Sequence, residues 1–288
     1  MNAPEMLKTL LLPGAPIVRA PGAFDSFSAR LVEQAGFPAI YMTGFGATAS
    51  RLGLPDIGLL TQTEMTEHAR NMVRSTTIPV IADADAGYGG PSNIHRTVQE
   101  YIQAGVAAIH LEDQVAPKRC GQMAGISLMP ADESVRRVEA ALAARSGHSL
   151  LVIARTDALA ATGRKDALER AKRYQDAGAD LVFVDGVKTR RDVDFIAENL
   201  TGPKVVSLVD GTDAAAMTAA DLEERGFSLV FYALTALFSA ATAMKSTLSR
   251  LHSAGLIESD EDAITYADYS QIVGLPFHQA LDNEFGAL

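Results

Sequence analysis

Short apolar runs alternate with amphipathic stretches along the whole chain. The runs are "PIVRA" (16–20), "AIYMTG" (39–44), "PVIADAD" (79–85), "AAIHLED" (107–113), "LLVIARTD" (150–157), "LVFVDG" (181–186), "KVVSLVD" (204–210) and "SLVFYAL" (228–234). Each is nearly continuous in apolar residues and short, the pattern of a strand covered on both faces. Between them, stretches such as "DSFSARLVEQAG", "NIHRTVQEYIQAG" and "RKDALERAKRYQDAG" repeat apolar residues at helical spacing and close on a glycine suited to a helix end. Eight strand and helix pairs without a break in composition predict a single (β/α)8 barrel domain, an α/β TIM barrel, over residues 1–288. The barrel is expected from about 14 to 252, after a short N-terminal helix, with a C-terminal helical extension over about 258–288. The alternative is an open, doubly wound sheet.

Barrels of this kind keep their chemistry at the C-terminal ends of the strands. Here those ends carry Thr43 and Gly44, Asp83 and Asp85, Glu112 and Asp113, Arg155 and Asp157, Asp185, Ser207 and Asp210. Charges gathered at one mouth of an apolar barrel mark a site. Residues two apart in a strand face the same way, so Asp83 and Asp85 are expected to converge. Together with Glu112 and with Asp56 from "LGLPDIGLL" they would repel one another unless a cation joined them. Oxygen ligands without histidine or cysteine favour Mg²⁺, with Mn²⁺ as a substitute. Helix capping or pairing with an arginine could explain any one of these acids, and suits Asp113 and Asp157, but it would have to recur independently for each. Arg155 offers a forked donor for a substrate carboxylate or an oxyanion, or else an ion pair with a neighbouring acid. The glycine-rich loop "TGFGATAS", with Thr43, Gly44 and Phe45, could present backbone N–H groups to a carboxylate, although such loops are also common turn chemistry.

Composition narrows the partners. A formal net charge of −10 with no basic cluster argues against nucleic acid. No apolar run approaches the roughly 20 residues that span a bilayer, and the N-terminus lacks the basic start and apolar core of a secretory signal. One cysteine permits no intramolecular disulfide and agrees with a reducing, cytoplasmic setting. That residue, Cys120, lies in "DQVAPKRCGQMAG", on a long loop after the fourth strand where a lid would sit. Its neighbours Lys118 and Arg119 are expected to favour thiolate.

Six ordered stretches carry a resemblance to a known family: "FDSFSARLVEQAGFPAIYMTG", "LGLPDIGLLT", "PVIADADAGYG", "HLEDQVAPKRCG", "VIARTDA" and "YQDAGADLVFVDG". The chain resembles the isocitrate lyase and phosphoenolpyruvate mutase superfamily, especially its short lyases acting on methylisocitrate and dimethylmalate and its carboxyphosphonoenolpyruvate mutase-like members. The resemblance implies a barrel whose eighth helix is exchanged between partners, usually in a homotetramer, and a small carboxylate substrate. It implies Mg²⁺ held through Asp85, with Asp56, Asp83 and Glu112 assisting. The oxo-acid part of the substrate would meet the metal, Thr43, Gly44 and Phe45, with Arg155 nearby and Gly121 and Gln122 closing over the second half. Cys120 would be the acid that protonates the carbanion released by carbon–carbon cleavage, and Tyr41 a base or proton relay.

Against the family pattern, Gln122 replaces a histidine, Asp185 a glutamate, Ser207 and Asp210 an asparagine and a glutamate, and Ala233 a common proline. The implied reaction is retro-aldol cleavage of a 2-hydroxy di- or tricarboxylate to pyruvate or glyoxylate plus a second acid. The departures leave open an oxaloacetate decarboxylase or acetylhydrolase, a phosphonopyruvate-type mutase or hydrolase, or a noncatalytic dicarboxylate binder.

Overall fold

The structure is a computed structural model that describes residues 1–255 and 263–286. Their contacts form two compact units, Met1–Leu237 and Phe238–Leu288. In the first, strands β1 (Val18–Ala23), β2 (Ile40–Met42), β3 (Val80–Asp83), β4 (Ala108–Leu111), β5 (Leu151–Thr156), β6 (Leu181–Val184), β7 (Lys204–Leu208) and β8 (Leu229–Tyr232) close a barrel in sequence order. All pairings are parallel, and β1 returns to β8 with Val18 opposite Leu229. This excludes the open sheet. A helix over Ala3–Leu10 precedes the barrel, started by a reciprocal cap between Asn2 and Glu5.

The strands stop short of the predicted runs, and the residues left over build the site. β2 ends at Met42 because Thr43 caps a helix over Gly44–Leu52, so the expected glycine-rich loop is in fact helical. β3 ends at Asp83, and Asp85 lies beyond it with φ of 44°, a left-handed turn. The expected convergence of Asp83 and Asp85 through strand alternation therefore does not apply.

Inside the barrel, alternate strands contribute alternate layers. Tyr41, His110, Phe183 and Phe231, from β2, β4, β6 and β8, form an aromatic layer. Tyr41 stacks on Phe231 with centroids 4.1 Å apart, and Phe183 meets Phe231 edge-on at 5.6 Å. Ile81, Ile153 and Val205 of the odd strands belong to the same buried cluster. Two residues further along those strands, alternation turns Asp83, Arg155 and Ser207 inward at the mouth. An apolar barrel thus ends in a polar rim.

The helix Thr235–Ala254 starts in the first unit and runs into the second, and none of its residues is buried. The second unit also contains helices Tyr266–Ile272 and Leu275–Phe285. The expected start of the extension, near residue 258, lies outside the described residues. Among the described residues, no helix is long and apolar enough to cross a membrane.

Candidate active site

Tyr41, Thr43, Phe45, Asp56, Asp83, Cys120, Gly121, Gln122, Arg155, Asp185 and Ser207 line one cavity at the barrel mouth. Its free volume is about 40 Å³, room for only a few waters, because the Cys120 loop lies over it. Asp85 and Glu112 are buried just outside this lining. Asp210 does not join the site: it is exposed and accepts a hydrogen bond from Thr235 Oγ1 at 2.9 Å. Val209, Ala233 and Leu234 face the cavity instead and give that side an apolar wall.

The helix after β2 presses against Asp83. Gly44 N donates to Asp83 Oδ2 at 3.2 Å, and a β-carbon at Gly44 would overlap that oxygen. Only glycine allows this approach. Asp83 is further fixed by Asp85 N, which donates to its Oδ1 at 2.9 Å. Burial favours the neutral acid, but His110, Lys118, Arg155 and this hydrogen bond outweigh it and hold the Asp83 carboxyl at about 2. Burial dominates at Asp85, where Asp83 and Asp56 add to it and the pKa rises to about 6 despite Lys118.

Lys118 is what the acids surround. Its Nζ lies 2.6 Å from Asp56 Oδ1 and 2.9 Å from Asp85 Oδ1, with its side chain only 6% exposed. The Asp85 contact is an ion pair that lowers the Asp85 carboxyl against the effect of burial. Burial alone would depress the ammonium, yet the surrounding carboxylates push its pKa well above the ordinary lysine value. Among the described residues, no three metal-ligating side chains converge into a ready cage. The donor set nevertheless fits a hard cation: among the described residues both Glu112 carboxylate oxygens are buried without hydrogen bonds, and Asp85 Oδ1 meets the Lys118 ammonium. One or two direct carboxylates with waters to the others is the arrangement that Mg²⁺ prefers.

Arg155 is held by acids on three sides. Its Nη2 lies 2.6 Å from Asp185 Oδ2, 2.8 Å from Asp157 Oδ1 and 3.5 Å from Glu112 Oε2. Nε reaches Asp157 Oδ2 at 3.1 Å, so Asp157 grips the guanidinium with both oxygens and fixes its plane. Asp113 anchors the frame beneath, accepting from Thr156, Asp157 N, Arg170 and Tyr174. Asp113 and Asp157 are thus structural supports.

The Cys120 loop is pinned at several points. Gln114 exchanges hydrogen bonds with the backbone of Arg119, and Cys120 N donates to Asp56 O at 3.1 Å. Gly121 packs so closely on the arginine cluster that a β-carbon there would overlap Asp185 Oδ2. The expected thiolate is not supported. Burial, helped by Asp185 and Asp56, raises the Cys120 thiol to about 11, because Lys118 is committed to acids and Arg119 is exposed. A protonated thiol is the form a proton donor requires.

Tyr41 is also poorly placed as a free base, since burial and then Asp83 push its phenol well above 10. Its hydroxyl sits 3.0 Å from His110 Nε2. Burial lowers His110 to about 4, so the ring is neutral, and among the described residues its Nδ1 has no hydrogen-bond partner. Sequence reasoning passed over His110. The signal was present in "AAIHLED", where a single polar residue interrupts an apolar strand.

A family model described as phosphoenolpyruvate phosphomutase matches residues 7–252. The chain is 38% identical to 2,3-dimethylmalate lyase of Eubacterium barkeri, over 96% of this chain and 95% of that protein. It is 37% identical to 2-methylisocitrate lyase of Halalkalibacterium halodurans, over 92% and 88%. Among solved structures it resembles oxaloacetate acetylhydrolase in complex with 3,3-difluorooxalacetate, with TM-score 0.94, 33% identity and coverage of 100% and 98%. It also resembles phosphonopyruvate hydrolase in complex with oxalate and Mg²⁺, with TM-score 0.88, 29% identity and 99% coverage of both chains.

Proposed function

The chain belongs to the phosphoenolpyruvate phosphomutase family, and on that footing we propose that it is a Mg²⁺-dependent lyase cleaving the C2–C3 bond of a 2-hydroxy di- or tricarboxylate to a 2-oxo acid and a second carboxylic acid. The observation that carries this reading is the half-buried Cys120, its thiol pushed up to about 11 by burial, facing the same cavity as Arg155. A phosphomutase, which moves a phosphoryl group and leaves no freed carbon to protonate, has no need of such an acid there.

Asp85, Asp83, Asp56 and Glu112 would hold the metal. When bound, it would supply positive charge at the carboxylate end of the substrate. Thr43, Gly44 and Phe45 stand at a helix start, where partial positive charge favours that carboxylate. Tyr41 Oη, paired with His110 Nε2, is placed to relay the 2-hydroxyl proton away from the substrate. As the C2–O bond becomes a carbonyl, Arg155 stabilises the charge passing through that oxygen. The C2–C3 electron pair moves to C3, and C3 takes the proton of Cys120 Sγ. One proton then returns from the relay to the thiolate through solvent, which restores the enzyme.

Gly121 and Gln122 close over the departing acid, with Ser207 and Asp185 beside it. We assign a cytoplasmic location and a homotetramer with exchanged eighth helices. The unburied helix Thr235–Ala254, with Phe238, Met244, Leu248 and Leu251 exposed, supports the exchange. The test of the reaction is Cys120→Ser assayed on alkylmalates and methylisocitrate. Cleavage should fall by about 10²–10⁴-fold, the usual worth of a positioned acid, while Mg²⁺ binding stays unchanged. Undiminished cleavage refutes the role. Hydrolysis of oxaloacetate in place of hydroxy-acid cleavage would favour the acetylhydrolase reading suggested by the oxaloacetate acetylhydrolase structure.

A further inference from the structure

Lys118 belongs to two features at once: it sits on the Cys120 loop, and its ammonium lies among acids built by other segments. We propose that Lys118 is a positioning residue, a clasp that holds Cys120 over the cavity by pairing with Asp56 and Asp85, and that a divalent cation competes with it for those carboxylates. The competition rests on the metal reading above. The clasp itself rests on geometry alone.

Asp56 binds the loop twice, its side chain at Lys118 Nζ at 2.6 Å and its carbonyl at Cys120 N at 3.1 Å. The loop backbone at Lys118 also rests on Gly58, where an added β-carbon would stand 3.3 Å from Lys118 N. Lys118 is the wall between two spaces, the small reactive cavity and a second cavity of about 620 Å³ whose lining includes Asp85, Tyr88 and Gln114. Displacement of the ammonium from Asp56 and Asp85 therefore has somewhere to go. A buried pair broken from one side leaves a charge without its partner, so the loop is strongly held while the pair stands. Linkage makes the effect reciprocal: whatever neutralises Asp56 and Asp85 without Lys118 frees the loop, and a held loop weakens cation binding. A substrate carboxylate arriving afterwards would give Lys118 a new partner and re-close the loop.

Because the chain contains one cysteine, alkylation by iodoacetamide reports the loop without ambiguity. In metal-free enzyme, Lys118→Met should raise the alkylation rate by about tenfold or more, as expected for loss of a buried ion pair. Asp56→Asn should raise it from the other side, and Lys118→Arg should restore the slow rate. Loss of the lysine charge would by itself make the thiol less reactive, so a faster rate reports exposure. Saturating Mg²⁺ without substrate should speed alkylation of the unmodified enzyme and leave Lys118→Met unaffected, and calorimetry should show tighter Mn²⁺ binding to Lys118→Met. Equal metal-free rates in the unmodified enzyme and in Lys118→Met would overturn the clasp. Slower alkylation with Mg²⁺, or unchanged Mn²⁺ affinity, would overturn the competition. Calorimetry showing no Mg²⁺ or Mn²⁺ binding would sink both the metal reading and the competition.

Discussion

Replacing Gly121 by alanine separates where the Cys120 loop sits from the chemistry it carries. The new methyl would overlap Asp185 Oδ2 and stand 2.8 Å from Asp157 Oδ1 and 2.9 Å from Arg155 Nη2. None of these can give way freely, since Arg155 Nη2 holds both acids at 2.6 and 2.8 Å. The loop must therefore lift by about 1 Å, a displacement that costs on the order of 10²-fold in rate when it moves a reacting group. That factor corresponds to about 2.7 kcal/mol of transition-state stabilisation. Because the overlap is relieved by moving the loop and not the barrel strands, thermal stability should stay close to that of the unmodified protein. Steady-state kinetics, a thermal melt and Cys120 alkylation on the same sample give the answer. The expected result is a lower kcat, an unchanged melting temperature and faster alkylation. Unchanged kcat and alkylation would show that Gly121 does not bear on the arginine cluster.

Arg155→Lys keeps the charge but loses the fork that Asp157 grips, and should lower kcat/KM by about 10²-fold or more in steady-state assays. A change below threefold would contradict the role given to the guanidinium. With its thiol held at about 11, Cys120 should be alkylated about tenfold faster for each pH unit between 7 and 10, following the thiolate fraction. A plateau near pH 8.5 in the rate profile would show an ordinary, exposed cysteine.

The barrel was legible because each strand is buried on both faces and each intervening helix on one, which leaves two distinct periods in the sequence. The short helix before it was legible for the same reason. Residues at the strand ends were found because polar groups stand out against apolar runs. Their geometry was harder. Asp85 turns left-handed, and Thr43 starts a helix, so neither follows the strand pattern that suggested it. Asp210 looked equivalent to the other acids, but beyond Leu208 it stands exposed and accepts from Thr235 instead. The thiol's protonation was misjudged because sequence shows Lys118 beside Cys120 and cannot show that Asp56 and Asp85 have claimed its charge. His110 was hidden by the apolar residues around it.

The central claim is cleavage of a carbon–carbon bond with protonation of the carbon set free, and mass spectrometry of products formed in D₂O tests it directly. Alkylmalates or methylisocitrate incubated with the enzyme and Mg²⁺ should yield one 2-oxo acid for each second acid released. The second acid should carry a single deuterium at the former C3, delivered by the exchanged Cys120 thiol. Hydroxy acids left intact, together with oxalate and acetate from oxaloacetate or phosphate from phosphonopyruvate, would contradict the account.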